Sequence, residues 1–516
     1  MPLLRRSLLT AAAASATLGT QLLRPGLALG ADRTLTIALP NNPSTMDPIQ
    51  TSNHDGMAIS NAVFENLLEV DLDGNVVPCL ARAMPVLSDD QLTMTFELRD
   101  DVQFQNGAAF TAEDVKYSYD YMLDPKNRSI RRYIFDRITR IDVESPTKVA
   151  FHLREPFRPF FQYQTKFMGI FPKGSREAHG DRYFANTPIG VGTGPGIFVD
   201  WTPNDQLEIR RNPNYWRRGV PGWDRVVAKI VPEESVRAAY LATGQAQIIS
   251  APPPHQMAEL ARTPGVKVGR KTALGGLWFM QTNTAKKPFD DVNFRKAVSC
   301  AIDRRKLSDE VFYGLISPSA VPAAREAAWF NAEAEATLAY DPARARAYLA
   351  KSKYPTGATF DLQVPNPPYL IDTRDAAVVM QSMLAAVGIK MNIRSQEMPQ
   401  VLSSMTAGSH VATLLPLMAP SDPTFHVTIC YLPDQQQSKS SNYSNPALTA
   451  AVTESYRHTD MKDLLPIYHK IQAILAEDCP HVWLGYVVVA NAWREEVRDY
   501  SVNTGLTIWT RDVKLG

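Results

Sequence analysis

Nine histidines, four cysteines and 53 carboxylates are the groups that could ligate a metal, attack a carbonyl or move a proton. Their spacing argues against all three. No His-Glu-x-x-His pair and no close His/Cys spacing of a metal site occurs. No G-x-S-x-G elbow exposes a serine nucleophile, and no two carboxylates are singled out as an acid/base pair. His54, in "SNHDG", is the one histidine in a loop of functional character. Cys79, Cys300, Cys430 and Cys479 sit mostly in apolar contexts, such as "VPCLA", "AVSCAID" and "EDCPHVW". That is the setting of small buried hydrophobes rather than of a disulfide framework. The chain is therefore expected to be no enzyme, with no catalytic residue, no metal and no cofactor.

One stretch looks at first like a nucleotide site. "GVGTGPGIFVDW" places glycines at 190, 192, 194 and 196. A phosphate-cradling loop needs a strand before it and a helix after it, so that free amides and the helix dipole meet the anion. Here "IFVDW" and "QLEIR" read as two strands around the turn "TPND". Pro195 also removes an amide donor, and no Lys-Ser or Lys-Thr follows. The glycines are expected to form a backbone crossing point that feeds a hairpin.

The elements that would position any site come from a chain of 516 residues, enough for two to four domains or one large composite fold. It is 45% hydrophobic and 21% charged, and 54 basic against 53 acidic residues leave a net charge of +1. That balance lacks the basic surplus of a nucleic-acid binder. The N-terminus has a basic start, an apolar stretch and small residues before Ala31, the pattern of a secretory leader cleaved near Gly30. Arg5-Arg6 before "SLLT" resembles a twin-arginine export signal; an ordinary leader with two chance arginines is the alternative. No cysteine near the cleavage point offers a lipid anchor. The mature chain is expected in the periplasm, soluble and unanchored.

Strands are expected at "RTLTIALP" and "LTMTFELR", which alternate, and a hairpin at "IDVESPTKVAFHLR" turned at Ser145-Pro146. Helical spacing runs through "AISNAVFENLLEV" at Ile59, Val63, Leu67 and Val70. Thr111 and Asp114 stand at capping-box spacing before "VKYSYDYML". Past residue 270, strands alternate with helices. The helix in "PFDDVNFRKAVSCAIDRRKL" carries an apolar stripe of Phe294, Ala297, Val298, Ala301 and Ile302. Asp341 and Pro342 open another helix as cap and first residue. This is the pattern of an α/β fold.

Several of these stretches, in order, resemble the family 5 solute-binding proteins of ABC importers, the group that includes dipeptide- and oligopeptide-binding proteins. The longest is "FENLLEVDLDGNVVPCLARAMPVLSDDQLTMTFELRDDVQFQNGAAFTAEDVKYSYDY". It is followed by "GTGPGIFVDW", "RNPNYW", "FDDVNFRKAVSCAIDR" and "YDPARARAYLAKSKYPTG". The resemblance covers residues 33–516. It implies a two-lobed α/β clamshell, a type II periplasmic binding protein with an extra domain in its N-terminal lobe. Lobe I would combine residues 31–45, 175–270 and 485–516, with a small domain, 46–174, inserted. Lobe II would run over 271–484. The chain would act as a monomer, closing on a peptide or small-molecule solute and presenting it to a permease complex in the inner membrane.

The resemblance also implies where ligand lies. Ser52, Asn53 and His54 fall on the loop that pairs with ligand backbone in peptide-binding relatives. Trp278, just after the crossing into lobe II, would offer a flat apolar face. Met418, Ala419, Ser421 and Asp422 align with the segment where peptide binders carry an aspartate for the ligand's α-amino group. Ala419 takes that aspartate's place, and Asp422 precedes Pro423 as a turn residue would. The expected ligand therefore lacks a free α-amino group, or keeps it wet near the cleft mouth. An exported peptidase and a sensory binding module for a non-peptide solute stand as alternatives.

Overall fold

Ten strands line up in one mixed sheet, and an eleventh, Ile316–Pro318, pairs on its flank. The computed structural model describes residues 33–72, 74–366, 373–418, 421–433, 435–503 and 508–516; the leader expected at 1–30 lies outside them. From one end the order is Lys390–Gln396, Thr359–Pro365, Ala412–Met418, Val266–Thr282, Val482–Arg494, Ile248–Ser250, Thr34–Leu39, Arg225–Ile230, Gln206–Arg211 and Gly196–Thr202. Thr34–Leu39 pairs in parallel with Arg225–Ile230 and Ile248–Ser250. Thr359–Pro365 pairs in parallel with Lys390–Gln396 and Ala412–Met418. Helices pack on the strands at both ends, as the strand–helix alternation requires.

Two long antiparallel strands, Val266–Thr282 and Val482–Arg494, join the two ends of the sheet. Their pairing runs from Val266↔Arg494 to Thr272↔Val488, then resumes at Leu277↔Tyr486. Five steps on one strand meet two on the other, so the extra residues of "ALGG" bulge out of the ladder. Beyond the slip Gly485 faces Trp278, and a Cβ at Gly485 would stand 2.4 Å from the Ser317 carbonyl oxygen. Only glycine lets the third strand, Ile316–Pro318, approach there.

The alternation of the 266–282 strand sorts its side chains between two cores. Leu277 and Phe279 join the larger cluster, which also holds Leu35, Phe64 and Trp483. Trp278 and Met280 point the other way, among Phe289, Phe294, Val298 and Leu362. A separate four-stranded antiparallel sheet, Val86–Leu87, Thr93–Glu97, Lys148–Leu153 and Ile138–Ser145, carries the helix Ala112–Leu123. At that helix's start the Asp114 carboxylate accepts from both the Thr111 amide and its hydroxyl, each at 2.8 Å.

The glycine run does what its surroundings predict. Gly196–Thr202 and Gln206–Arg211 form a hairpin. Gly192 and Gly194 lie against the end of the helix His54–Val63: a Cβ would stand 2.0 Å from the Val63 carbonyl oxygen and 2.4 Å from that of Ala62. The helix Val292–Ala301 buries Phe294, Ala297, Val298 and Ala301, and Asp341 caps its own helix by accepting from the Arg344 amide at 2.9 Å. One expectation is corrected. The helical spacing read through Val70 stops at Val63, and Leu68–Val70 is a short strand paired with Val76–Pro78. Two apolar residues four apart fit either element, and the turn that follows decides for the hairpin.

All four cysteines are buried free thiols. Among the described residues no group of three His, Cys, Asp or Glu gathers as metal ligands, and no helix is long and apolar enough to cross a membrane.

Candidate ligand-binding cleft

The loop 47–54 leads into the helix His54–Val63, and its side chains hold that helix in place. Asn53 is the cap: its carbonyl oxygen accepts from the Gly56 amide at 2.9 Å, and its amide nitrogen donates to the Asn42 carbonyl at 2.7 Å. Both polar ends are thereby used within the fold. Ser52 is exposed beside it. His54 opens the helix with its Nδ1 buried and unpartnered among the described residues. Burial, and then the charges of Lys166 and Arg131, push its pKa down to about 3, so it is neutral.

The second stretch behaves differently from its expectation. Met418 ends the strand Ala412–Met418 opposite Gly276 and is half-buried, as is Ser421. Ala419 lies outside the described residues. The Asp422 side chain is fully buried, and its carboxylate is engaged on both oxygens. Oδ1 accepts from the Thr424 amide at 2.8 Å and its hydroxyl at 2.5 Å, and Oδ2 accepts from the Arg158 guanidinium. The partner of Asp422 is thus Arg158, 264 residues away in sequence.

Arg158 belongs to a seam that the sequence reading missed. Its amide donates to the Tyr456 carbonyl at 3.3 Å. Phe157 meets Tyr456 edge-on with ring centroids 5.1 Å apart, and Tyr163 meets Phe425 at 5.7 Å. Gln91 donates to the Arg457 carbonyl at 2.7 Å. Every one of these contacts joins residues 91–163 to residues 422–457. From the seam, ring contacts run inward: Tyr163 to Phe167 at 6.4 Å, and Phe167 to the Arg131 guanidinium stacked 4.5 Å above it. Arg131 in turn donates to the Thr51 carbonyl. The two expected stretches, 52–54 and 418–422, thus stand at opposite ends of one aromatic relay.

Trp278 is a further correction. It is 0% exposed and packs edge-on against Phe312, with centroids 4.7 Å apart. The strand's alternation turns it into the Phe294–Leu362 core, on the face opposite Leu277 and Phe279. It is a core tryptophan, not a cleft wall.

A crevice runs along the helix His54–Val63. It is lined by Ala58, Asn61, Thr165, Glu69 and Trp509, and encloses about 30 Å³, the space of roughly one water. Ala58 and Asn61 lie one and two turns beyond His54, on its face. At the far end the charges are matched. Glu65 accepts from the Tyr215 hydroxyl at 2.7 Å and the Trp216 indole at 2.9 Å. Glu69 pairs with Arg217 at 2.8 Å and Arg511 at 2.5 Å. Burial raises the Glu65 pKa despite those donors. The Cys79 thiol donates to the Glu65 carboxylate at 3.7 Å, but burial and the Glu65 charge push its pKa well up, which keeps it a protonated thiol rather than a nucleophile. The crevice is a small recess with charged ends, walled by residues of 58–195 and 508–511 and by none of 271–484.

Comparison with known proteins identifies the class. Residues 75–437, more than half of the chain, match the family model described as bacterial extracellular solute-binding proteins, family 5 Middle. The chain is 27% identical over 481 residues to a glutathione-binding protein, GsiB, of Salmonella typhi, covering 89% of each. Its fold is similar to that of the periplasmic binding protein DppA from Helicobacter pylori, solved with the peptide STSA: TM-score 0.78, 23% identity, covering 93% of this chain and 98% of that one. HbpA2 from Haemophilus parasuis superposes with a TM-score of 0.82 at 21% identity, covering 94% and 100%. These matches set aside the exported-peptidase alternative, because the family is made of binding proteins. The chain belongs to the bacterial extracellular solute-binding proteins, family 5, and it binds a solute rather than catalysing a reaction.

Proposed function

We propose that this protein captures a peptide or peptide-like solute between its two lobes in the periplasm and delivers it, as a monomer, to the permease complex of an ABC importer. The observation that carries the reading is the buried Arg158–Asp422 pair. It joins residues 264 positions apart across the seam, on a contact surface that can form only when the lobes are shut. Parting would take place about the slipped register at 272–277, with lobe II spanning 271–484 and the small domain 46–174 riding on lobe I. A ligand with more contacts in the shut form than in the open one shifts the balance toward it.

The names of the relatives, glutathione-binding and peptide-bound, support the peptide-like class. The amino-group expectation also keeps its support. Of Met418, Ser421 and Asp422, only Asp422 is acidic, and its carboxylate is already spent on Arg158 and Thr424. The test is small-angle scattering with mass spectrometry of whatever co-purifies from the periplasm. A co-purifying solute that shrinks the radius of gyration when added back to stripped protein supports the proposal. Turnover of that solute, or an unchanged radius at saturation, defeats it.

A further inference from the structure

Glu65 and Glu69 are buried carboxylates one helical turn's spacing apart in sequence, and three consecutive residues from far along the chain donate to them. Tyr215 and Trp216 donate to Glu65, and Arg217 to Glu69. Arg511 takes the other Glu69 oxygen. The Trp216 ring also lies 4.2 Å from the Arg99 guanidinium and 4.4 Å from that of Arg217. Arg511 is itself held in place, because its neighbour Thr510 accepts from the buried Trp223 indole at 2.7 Å. The stretch "RNPNYW" thus ends in a joint that fastens residues 65–99 to residues 215–217 and 511. Apolar side chains of the same volume would hold such a joint as firmly. Directional donors on buried carboxylates add one position and one orientation.

The joint is connected to the Arg158–Asp422 seam through one short segment. The Ile170 amide donates to the Glu65 carbonyl at 2.9 Å, and the Met168 amide to the Asn66 side chain at 3.0 Å. Earlier in the same segment Tyr163 packs on Phe157, with ring centroids 5.6 Å apart. Both rings then reach across the seam, Phe157 to Tyr456 and Tyr163 to Phe425. In the other direction Glu69 stands in the hairpin Leu68–Val70 and Val76–Pro78. The Leu72 carbonyl in that hairpin accepts from the Lys271 ammonium, one residue before the long ladder slips at Thr272.

We infer that Trp216 is a positioning residue for closure: with Glu65, Glu69 and Arg511 it seats residues 65–170 where Phe157 and Arg158 meet Tyr456 and Asp422. This rests on reading the Arg158–Asp422 seam as the contact of the shut form, and it adds what brings one side of that seam into register. The seam tolerates little error. The Arg158 amide meets the Tyr456 carbonyl at 3.3 Å, so a displacement of about half an ångström takes it out of hydrogen-bond range. Trp216→Phe keeps an aromatic ring beside Arg99 and Arg217 and removes only the N–H on Glu65. The seat loosens while the hydrophobic core is left as it was.

The experiment is hydrogen–deuterium exchange on the ligand-free chain, which reads the seam without a solute. The proteins are wild type, Trp216→Phe, Arg511→Lys, Arg158→Ala and the double variant Trp216→Phe with Arg158→Ala. Trp216→Phe should speed exchange in segments 157–163 and 424–431 by about tenfold, and Arg511→Lys by about threefold. The helix Val292–Ala301, remote in sequence from seat and seam, should stay within about twofold of wild type in both. Arg158→Ala should speed the seam segments on its own, and adding Trp216→Phe should then change them by less than about twofold, because both act on one contact. Seam exchange at the wild-type rate in both seat variants overturns the inference. So do effects of Trp216→Phe and Arg158→Ala that multiply in the double variant. Lost protection at 292–301 in both seat variants makes the joint part of the folding core and overturns it as well. Unchanged seam exchange in Arg158→Ala defeats the latch, and the seat with it.

Discussion

Replacing Arg158 by alanine should open the clamshell without unfolding it. In the shut form the Asp422 side chain is 0% exposed and that of Arg158 is 15% exposed. Removing Arg158 leaves a buried carboxylate held only by Thr424, and breaking a buried pair in this way costs about 3–5 kcal/mol. A pair inside one core would take that cost from the folding free energy. This pair lies on a seam, so the lobes can part and return Asp422 to water. The shut form alone is then penalised. A ligand that needs that form must supply the difference, and 3 kcal/mol is about 150-fold in affinity. We expect a loss of about 100-fold for the co-purifying solute. The radius of gyration of the ligand-free variant should be larger, and its urea midpoint near that of wild type. Asp422→Asn should lose less, about tenfold, since Arg158 is partly exposed. Arg158→Met with Asp422→Leu should recover most of the affinity, because an apolar pair of similar size replaces a buried ion pair at little cost. Wild-type affinity and radius in Arg158→Ala would refute the latch. A lowered urea midpoint with unchanged radius would make the pair part of a fixed core instead.

Four further outcomes can be measured directly. His54 is held at about pKa 3, so the unfolded chain binds the extra proton between about pH 6.5 and 3, and stability falls as pH drops through that window; His54→Gln should flatten part of that slope in denaturant titrations, the rest belonging to His426 and His481, lowered by burial to about 4 and 3. Trp278→Ala should cost about 3–5 kcal/mol of unfolding free energy, while Trp278→Phe, which loses no hydrogen bond, should bind solute like wild type in calorimetry. Gly192→Ala puts a methyl 2.0 Å from the Val63 carbonyl oxygen and should lower the thermal midpoint sharply, whereas Gly107→Ala, with nothing within 4 Å but φ +89°, should cost only about 1 kcal/mol. Arg5→Lys with Arg6→Lys should stop export if the leader uses the twin-arginine route, and N-terminal sequencing of exported protein should begin near Ala31.

What the sequence makes legible here is what neighbours along the chain decide. The alternation in "LTMTFELR", the stripe from Phe294 to Ala301 and the Asp341 cap each rest on side chains within a few positions, and each forms as read. The glycine run was legible for the same reason, since the hairpin that rules out a phosphate loop follows directly. Trp278 was not. Period two says that Trp278 and Phe279 face opposite ways, but not which face meets the cleft, and helices 20 to 110 residues later settle that. The site is harder still. Arg158 meets Asp422 from 264 residues away. The only local trace is an interleaving of basic and aromatic residues in "RRYIF" and "RPFFQYQTKF", a pattern that reads equally well as a solvated helix face.

The paired strands 266–282 and 482–494 limit how this molecule can move. Each is hydrogen-bonded to the other on both sides of the slip, at 266–272 with 488–494 and at 277–280 with 482–486. Sliding one strand along the other would break those ladders, so translation is stiff, and only 273–276, which skip pairing with the 482–494 strand, can yield. What remains soft is close to a single angle. A contact across the seam, such as Arg158–Asp422, is made or lost with that angle. Solutes of different shape then leave the same kind of trace on the outer surface: one value of that angle, set by how far each lets the rim close.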